Sequence, residues 1–207
     1  MKKIGYLLLI SGITIISFYY VYKISLNERE KDDVSDYIQE TSMKEEVIDE
    51  ENINIEDTNI EENSEIQQTS INLDYTAVIE IPKINLKRGV INSTKNFNSV
   101  NYAISVDENS NYPNEMGNFI LYAHSGNSSI AYFKNLNKVE VGDEVYIYYE
   151  GVKYKYIIYD KYDIQKTGKA NVIKSSTDNY LTLITCNQNK KNYQIVVIGK
   201  LDTTTKY

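Results

Sequence analysis

The sequence predicts a mainly β domain over residues 75–207, preceded by a membrane helix and an acidic stalk. Three observations support this division of the 207-residue chain. Short runs rich in Val, Ile and Tyr recur through residues 75–207, residues 4–22 carry no charge, and residues 27–74 hold 17 of the 29 acidic side chains. Since one domain usually takes about 100 to 200 residues, the chain has room for one folded core.

The uncharged run at residues 4–22 is long enough for a transmembrane helix. As a helix it would rise about 28 Å, close to the ~30 Å hydrocarbon core of a bilayer. The run ends in aromatic residues and Lys23 without a small-residue cleavage site, and Lys2 and Lys3 favour a cytoplasmic amino terminus. We expect residues 1–26 to form a cytoplasmic tip and a single-pass anchor in the cell membrane, with the domain outside. A buried core helix fits poorly beside so acidic a neighbouring segment.

Residues 27–74 form the acidic segment. They carry 17 acidic and three basic side chains, a net charge of −14 that exceeds the −7 of the whole chain. The segment has no Pro or Gly, few aromatic residues and no lasting period of 3.6 or 2. Too little apolar surface is available to offset the entropy of ordering the chain, so the composition predicts an extended, disordered stalk. An acidic docking tail is the alternative.

Residues 75–207 are predicted to be β because their apolar runs are short, β-branched and separated by Asn, Gly, Asp and Lys. Patterns typical of helices are confined to residues 94–102 and 127–137. An antiparallel barrel or sandwich is therefore favoured, and Glu150-Gly151 marks a hairpin turn. The domain has no dense basic run, so it is not expected to bind nucleic acid. The predicted strands are Ala77–Ile81, 119–123, 145–149, 153–160, 180–185 and 193–201.

The single cysteine and the single histidine occupy equivalent positions at the ends of predicted strands. Cys186 follows the strand at 180–185, and His124 follows the strand at 119–123. One cysteine cannot form an intramolecular disulfide, so Cys186 is either a buried small hydrophobe or a reactive thiol. A thiol is weakly ionised at neutral pH and needs an imidazole to take its proton or to stabilise the thiolate. The two strand ends could supply such a pair at one rim.

Five motifs resemble those of the sortase family, in the family's order and spacing. They are IPKIN at 81–85, GNFILYAH at 117–124, FKNL at 133–136, VGDEV at 141–145 and, most specifically, TLITC at 182–186. The resemblance covers residues 75–201. It implies an eight-stranded β-barrel on the surface of a Gram-positive bacterium, acting as a transpeptidase on a sorting signal of LPXTG type. No metal or organic cofactor is implied.

The resemblance also assigns roles to individual residues. Cys186 would attack the Thr carbonyl of the sorting signal and hold the cleaved protein as a thioester, and His124 would protonate the departing amine. The histidine would later accept a proton from the incoming amine, commonly that of a peptidoglycan precursor. Ser125 and Thr185 are candidate substrate-binding residues beside this pair.

One position departs from the family pattern. Sortases usually carry an Arg on the strand after the cysteine, where this chain has Gln194. Gln offers an amide donor without a charge, and charged hydrogen bonds are roughly twice as strong as neutral ones. We expect Gln194 to take the role of holding the oxyanion or positioning the substrate. Lys190 and Lys191, in the preceding loop, could add positive charge near the site, although a solvated loop is the simpler interpretation.

Two further questions concern metal and subclass. Asp107, Glu108 and Glu115 precede the histidine strand, where some sortases bind calcium through carboxylates; an exposed acidic turn is the favoured interpretation. The sequence has no second apolar segment before Tyr207 and no aromatic lid motif, so we expect anchoring of proteins to the cell wall. A pilus-assembly sortase is one alternative, and a catalytically silent domain that binds peptides or a surface partner is another.

Overall fold

The computed structural model describes residues 2–48, 75–92, 100, 103–167 and 173–207. This part of the chain contains one long helix, α1, and eight strands, with two single-turn 3₁₀ helices at Pro82–Ile84 and Leu136–Lys138. The bounds are α1 Lys2–Ile48, β1 Ala77–Ile81, β2 Leu86–Asn92, β3 Ile104–Val106, β4 Gly117–Tyr122, β5 Glu144–Tyr149, β6 Val152–Gln165, β7 Asn179–Cys186 and β8 Tyr193–Lys206.

The eight strands close into a barrel in the order β1-β2-β3-β4-β7-β8-β6-β5, with β5 pairing back onto β1. The predicted eight-stranded barrel is confirmed. Six of the strand pairs are antiparallel, whereas β2–β3 and β4–β7 are parallel. Closure removes the unpaired strand edges that an open sheet would expose.

All six predicted runs coincide with strands, with 119–123 extending one residue past β4, and two strands were missed. Strand β2 has the sequence LKRGVIN, whose charged pair and glycine interrupt the apolar pattern, and β3 is only three residues long. Both form because they pair with neighbours in the closed sheet, a context that local propensity does not contain. Strands β6 and β8 are longer than predicted, at 14 residues each.

The hairpin at residues 150–151 is confirmed. Strands β5 and β6 pair from Tyr149 with Val152, so a two-residue loop joins them. Glu150 and Gly151 both have positive φ, at 47° and 73°. This is the backbone geometry of the tight turns whose twist matches that of the flanking strands.

The core fills the barrel interior with side chains from all eight strands. Alternate residues of β4 and β7 point inward, because successive side chains of a strand lie on opposite faces of the sheet. Thus Phe119, Leu121 and Ala123 are buried in the core, as are Leu181 and Leu183. The 127–137 region, where one or two helical turns were predicted, consists of turns followed by the 3₁₀ helix Leu136–Lys138. The helical pattern at 94–102 lies outside the described residues apart from Val100.

Helix α1 spans both the predicted anchor and the start of the predicted stalk. In the part of the chain that the structure describes, no helix is long and apolar enough to cross a membrane, so the transmembrane anchor predicted at residues 1–26 is not supported. The extended stalk is wrong for residues 27–48, which are helical. The rest of the stalk, residues 49–74, lies outside the described residues.

Packing on the barrel explains why residues 27–48 of the acidic segment are helical. Val34 is 4% exposed and packs in one cluster with Val78 of β1 and Tyr148 of β5. Tyr37 and Ile38, three and four residues further along α1, pack against the same cluster. This i, i+3, i+4 spacing is one face of a helix. The helical face is only about two turns long, too short to stand out in a segment dominated by acidic residues.

Candidate active site

Strand register brings the predicted catalytic residues to one end of the barrel. Strand β7 lies between β4 and β8. Tyr122 pairs with Ile184 in the parallel β4–β7 ladder. Two residues further along, the first segment reaches His124 and the second reaches Cys186. On the other side of β7, Cys186 pairs directly with Gln194. Neighbouring strands lie about 4.8 Å apart, so the three residues occupy adjacent positions.

The alternation of side chains places Cys186 and Gln194 on the same, outer face of the sheet. Thr185 is buried, so Cys186, the next residue of β7, faces the other way, and His124 follows the buried Ala123 just past the end of β4. Directly opposed residues of an antiparallel pair share a face, which puts Gln194 on that side too. Cys186 is exposed, and this excludes the alternative of a buried structural cysteine. A peptide can therefore reach the thiol from outside the barrel.

Two hydroxyl groups form hydrogen bonds between residues 123–125 and the end of β7. The Ser125 hydroxyl donates to the carbonyl oxygen of Cys186 at 2.7 Å. The hydroxyl of Thr185, which is 3% exposed, donates to the carbonyl oxygen of Ala123 at 2.8 Å. Both residues were predicted to bind substrate. In this structure their hydroxyls join the segments that carry His124 and Cys186, so both residues fix the spacing of the site.

A small cavity opens beside Cys186. Its volume is about 170 Å³, and it is lined on one side by the end of β7 and on the other by residues 133–138. Lys134 and Lys138 bring two positive charges to its wall, and Ser125 and Asn135 bring polar groups. A larger cavity of about 560 Å³ lies between α1 and the β1–β2 end of the barrel. Cys186 lines the smaller cavity, and none of the candidate catalytic residues lines the larger one, so we place the active site beside the smaller cavity.

Gln194 is the residue that the resemblance predicts in place of an Arg. It is half-buried on β8 and pairs with Cys186 of β7 on one side and Ile164 of β6 on the other. The strand register therefore places Gln194 directly opposite Cys186.

A positive charge beside the thiol comes from a residue that the sequence did not single out. Lys166, just past the end of β6, places its Nζ 3.8 Å from the Sγ of Cys186. Lys190 instead contacts Asp163 at 4.0 Å and lies 3.6 Å from the ring centre of Tyr193, whereas Lys191 is exposed in the turn before β8. Lys166 was missed because only the register between β6 and β8 brings it to Cys186.

Two of the three calcium candidates accept hydrogen bonds within the turns before β4. Asp107 accepts a hydrogen bond from the backbone N–H of Asn109 at 3.0 Å, and Glu115 accepts one from the N–H of Tyr112 at 3.3 Å. Glu108 is exposed. Across the described residues, no group of three or more His, Cys, Asp or Glu side chains is arranged to hold a metal ion.

Comparison with known sequences adds a family match. The family described as "Sortase domain" matches residues 79–202 of this chain. A curated relative, sortase A of Bacillus anthracis, is 29% identical over 126 residues, which make up 59% of this chain. The chain spans 58% of that relative's length.

Solved structures of sortases share the fold. Sortase C1 of Streptococcus agalactiae superposes with a TM-score of 0.57 at 25% identity, covering 66% of this chain and 72% of that one. A sortase D5 transpeptidase of Clostridium perfringens gives 0.56 at 24% identity, with 63% and 80% covered. Sortase A of Listeria monocytogenes gives 0.56 at 24%, with 64% and 90% covered. The family match over most of the barrel, together with this fold, shows that the chain belongs to the sortase family.

Proposed function

We propose that this protein is a cysteine transpeptidase that cleaves an LPXTG-like sorting signal and transfers the cleaved protein to an amine of the cell wall. The observation that carries the proposal is the position of Cys186, exposed at the end of β7 between the strands that lead to His124 and Gln194. Such an enzyme acts outside the cell membrane, where the surface protein and the peptidoglycan precursor meet.

The first half of the reaction forms a thioester. The thiolate of Cys186 attacks the Thr carbonyl carbon of the signal, a C–S bond forms, and the carbonyl π electrons move onto oxygen. The oxyanion then collapses and the C–N bond breaks. The departing amine takes a proton from the imidazolium of His124, which leaves the imidazole neutral. The two steps through a thioester avoid the direct displacement of one amine, which is a poor leaving group, by another amine.

The second half reverses these steps with a different amine. The amine of a peptidoglycan precursor attacks the thioester carbon and gives a proton to His124. The new C–N bond forms, the C–S bond breaks, and Cys186 returns as a thiolate. One imidazole serves in both directions because the ordinary pKa of histidine lies near neutrality.

Gln194 is proposed to hold the oxyanion in both steps. Its amide lies on the same face as the thiol and directly across the β7–β8 ladder. The amide contributes a neutral hydrogen bond where a guanidinium would contribute a charged one. Catalysis with an amide at this position therefore depends more on other positive charge near the thiol.

The test is to trap the acyl-enzyme. Wild-type protein incubated with an LPXTG-type peptide is expected to gain the mass of the acyl fragment on Cys186, whereas Cys186→Ala gains none and cleaves none while melting normally. His124→Ala is expected to lose turnover as well. Undiminished cleavage by Cys186→Ala would contradict the proposal. Peptide binding by wild type without any adduct on Cys186 would favour the catalytically silent domain.

A further inference from the structure

We propose that Lys166 is a further catalytic residue, whose ammonium group stabilises the thiolate of Cys186 and supplies the charge that Gln194 lacks. The direct observation is the 3.8 Å contact between its Nζ and the Sγ of Cys186. At this distance an ammonium group is a hydrogen-bond donor to sulfur as well as a nearby point charge. An adjacent lysine favours the thiolate over the thiol, and the thiolate is the form that attacks.

The backbone of Lys166 is held in place by the barrel. Strand β6 pairs with β8 from Val152 to Gln165, ending with Ile164 opposite Gln194 and Gln165 opposite Tyr193. The ladder gains one more bond because the N–H of Lys166 donates to the carbonyl oxygen of Asn192 at 2.7 Å. Lys166 lies two residues after Ile164, so its side chain leaves the sheet on the same face as Gln194 and Cys186.

The positively charged and imidazole groups around the thiol come from three parts of the fold. His124 follows β4, Lys166 follows β6, and Lys134 and Lys138 line the cavity from the loop before β5. An acidic group close by is Asp163 of β6, which pairs with Ile195 and so lies on the opposite face of the sheet from Gln194. Its carboxylate accepts a hydrogen bond from the side-chain amide of Asn187 at 2.9 Å and faces Lys190 at 4.0 Å. Asp163 is thus engaged by two other groups, and Lys166 is the cation that contacts sulfur.

The proposed division of labour follows the movement of charge. Before attack, the proton of the thiol passes to His124, and the negative charge on sulfur faces the ammonium group of Lys166. During attack the charge moves from sulfur to the carbonyl oxygen, where the amide of Gln194 is placed to receive it. Lys166 therefore increases the fraction of Cys186 that is present as thiolate. Gln194 stabilises the oxyanion that forms when this thiolate attacks. A single Arg could serve both tasks.

The effect of Lys166 on catalysis rests on the proposed function, but its effect on the thiol can be tested without a peptide. The rate of alkylation of Cys186 by iodoacetamide, a small neutral reagent, is measured across pH by mass spectrometry in the full chain. Because the thiolate is the reacting form, the pH midpoint reports the ionisation of the thiol. The variants are Lys166→Gln, Lys166→Arg and, as a control that removes the same charge from the neighbouring loop, Lys191→Gln.

We expect Lys166→Gln to raise the midpoint by about one pH unit, and hence to slow alkylation near neutral pH about tenfold. Lys166→Arg keeps a midpoint near that of wild type, and Lys191→Gln leaves it unchanged. High salt shrinks the difference, since the ammonium group is exposed. An unchanged midpoint in Lys166→Gln, or equal shifts in the Lys166 and Lys191 variants, overturns the proposal. A normal Lys166 dependence without any acyl-enzyme overturns the proposed function instead.

Discussion

Cys186 and Gln194 lie directly opposite each other in the antiparallel ladder between β7 and β8. The two side chains share one face of the sheet, so the group that would stabilise the oxyanion is positioned by the same backbone hydrogen bonds that position the nucleophile. The next pair along the ladder, Thr185 with Ile195, is buried in the barrel wall. A well-packed part of the sheet therefore holds the strands that carry Cys186 and Gln194 in place.

Gln194→Ala is expected to lower the rate of thioester formation about a hundredfold, because it removes a hydrogen-bond donor from the oxyanion. The fold should be preserved, since the side chain is only half-buried. Single-turnover cleavage of a fluorogenic sorting peptide measures the rate. Gln194→Arg is the informative companion and should be at least as fast as wild type. Normal turnover in the alanine variant would mean that the oxyanion is held elsewhere.

Thr185→Val is expected to lower both stability and turnover. The substitution keeps the shape of the side chain but leaves the buried carbonyl of Ala123 without the 2.8 Å bond that it now accepts. An unsatisfied buried group costs about 1 to 3 kcal/mol in the free energy of unfolding. Urea denaturation measures this loss. Thr185→Ser, which keeps the hydroxyl, is the control, and equal losses in the two variants would contradict the assigned role of the hydrogen bond.

The docking of α1 onto the barrel can be tested at Tyr37. Its hydroxyl donates to the carbonyl oxygen of Thr76 at 2.6 Å, and burial raises the pKa of Tyr37 above its usual range. Tyr37→Phe removes the hydrogen bond at a cost of about 1 kcal/mol. Val34→Asp, which buries a charge against Val78, is expected to cost several times more. Asp36→Asn, on the exposed side of α1, should unfold like wild type in urea.

If Val34→Asp left both the unfolding midpoint and the hydrogen-exchange protection of residues 30–43 unchanged, α1 would not be docked in solution. Hydrogen exchange is the more specific readout, because it reports each segment separately.

The ion pair between Asp178 and Lys200 makes stability depend on pH. The 2.7 Å contact lowers the pKa of Asp178 and raises that of Lys200. A lowered aspartate pKa adds stability above the unfolded-state value, and this is lost as pH falls through the folded-state value. A raised lysine pKa adds stability below the unfolded-state value, and this is lost as pH rises through the folded-state value.

Asp178→Asn should therefore melt slightly below wild type at neutral pH, and the difference should vanish in acid. The pair is exposed, so the effect is small and decreases with salt. Thermal melts of wild type, both single variants and the Asp178→Asn/Lys200→Gln double variant measure the coupling. A difference between wild type and Asp178→Asn that persisted in strong acid would assign the effect to something other than this ion pair.

The sequence by itself determined the class of fold and singled out the candidate catalytic pair. Six strands were recognisable because their β-branched and aromatic runs are local properties, and the turn at Glu150-Gly151 was recognisable because few residue pairs adopt its geometry. Cys186 and His124 stood out because each is the single residue of its type and each follows a strong strand.

Only the tertiary structure decided how distant segments meet. Strands β2 and β3 exist because a closed sheet pairs them, and residues 27–48 are helical where Val34 and Tyr37 find an apolar surface on the barrel. Lys166 reaches Cys186 because β6 and β8 pair in one particular register. Such relationships depend on hydrogen bonds between residues far apart in the chain, and a pattern within one segment contains no information about its partner. The candidate nucleophile could therefore be named from the sequence, whereas the charge beside it could not.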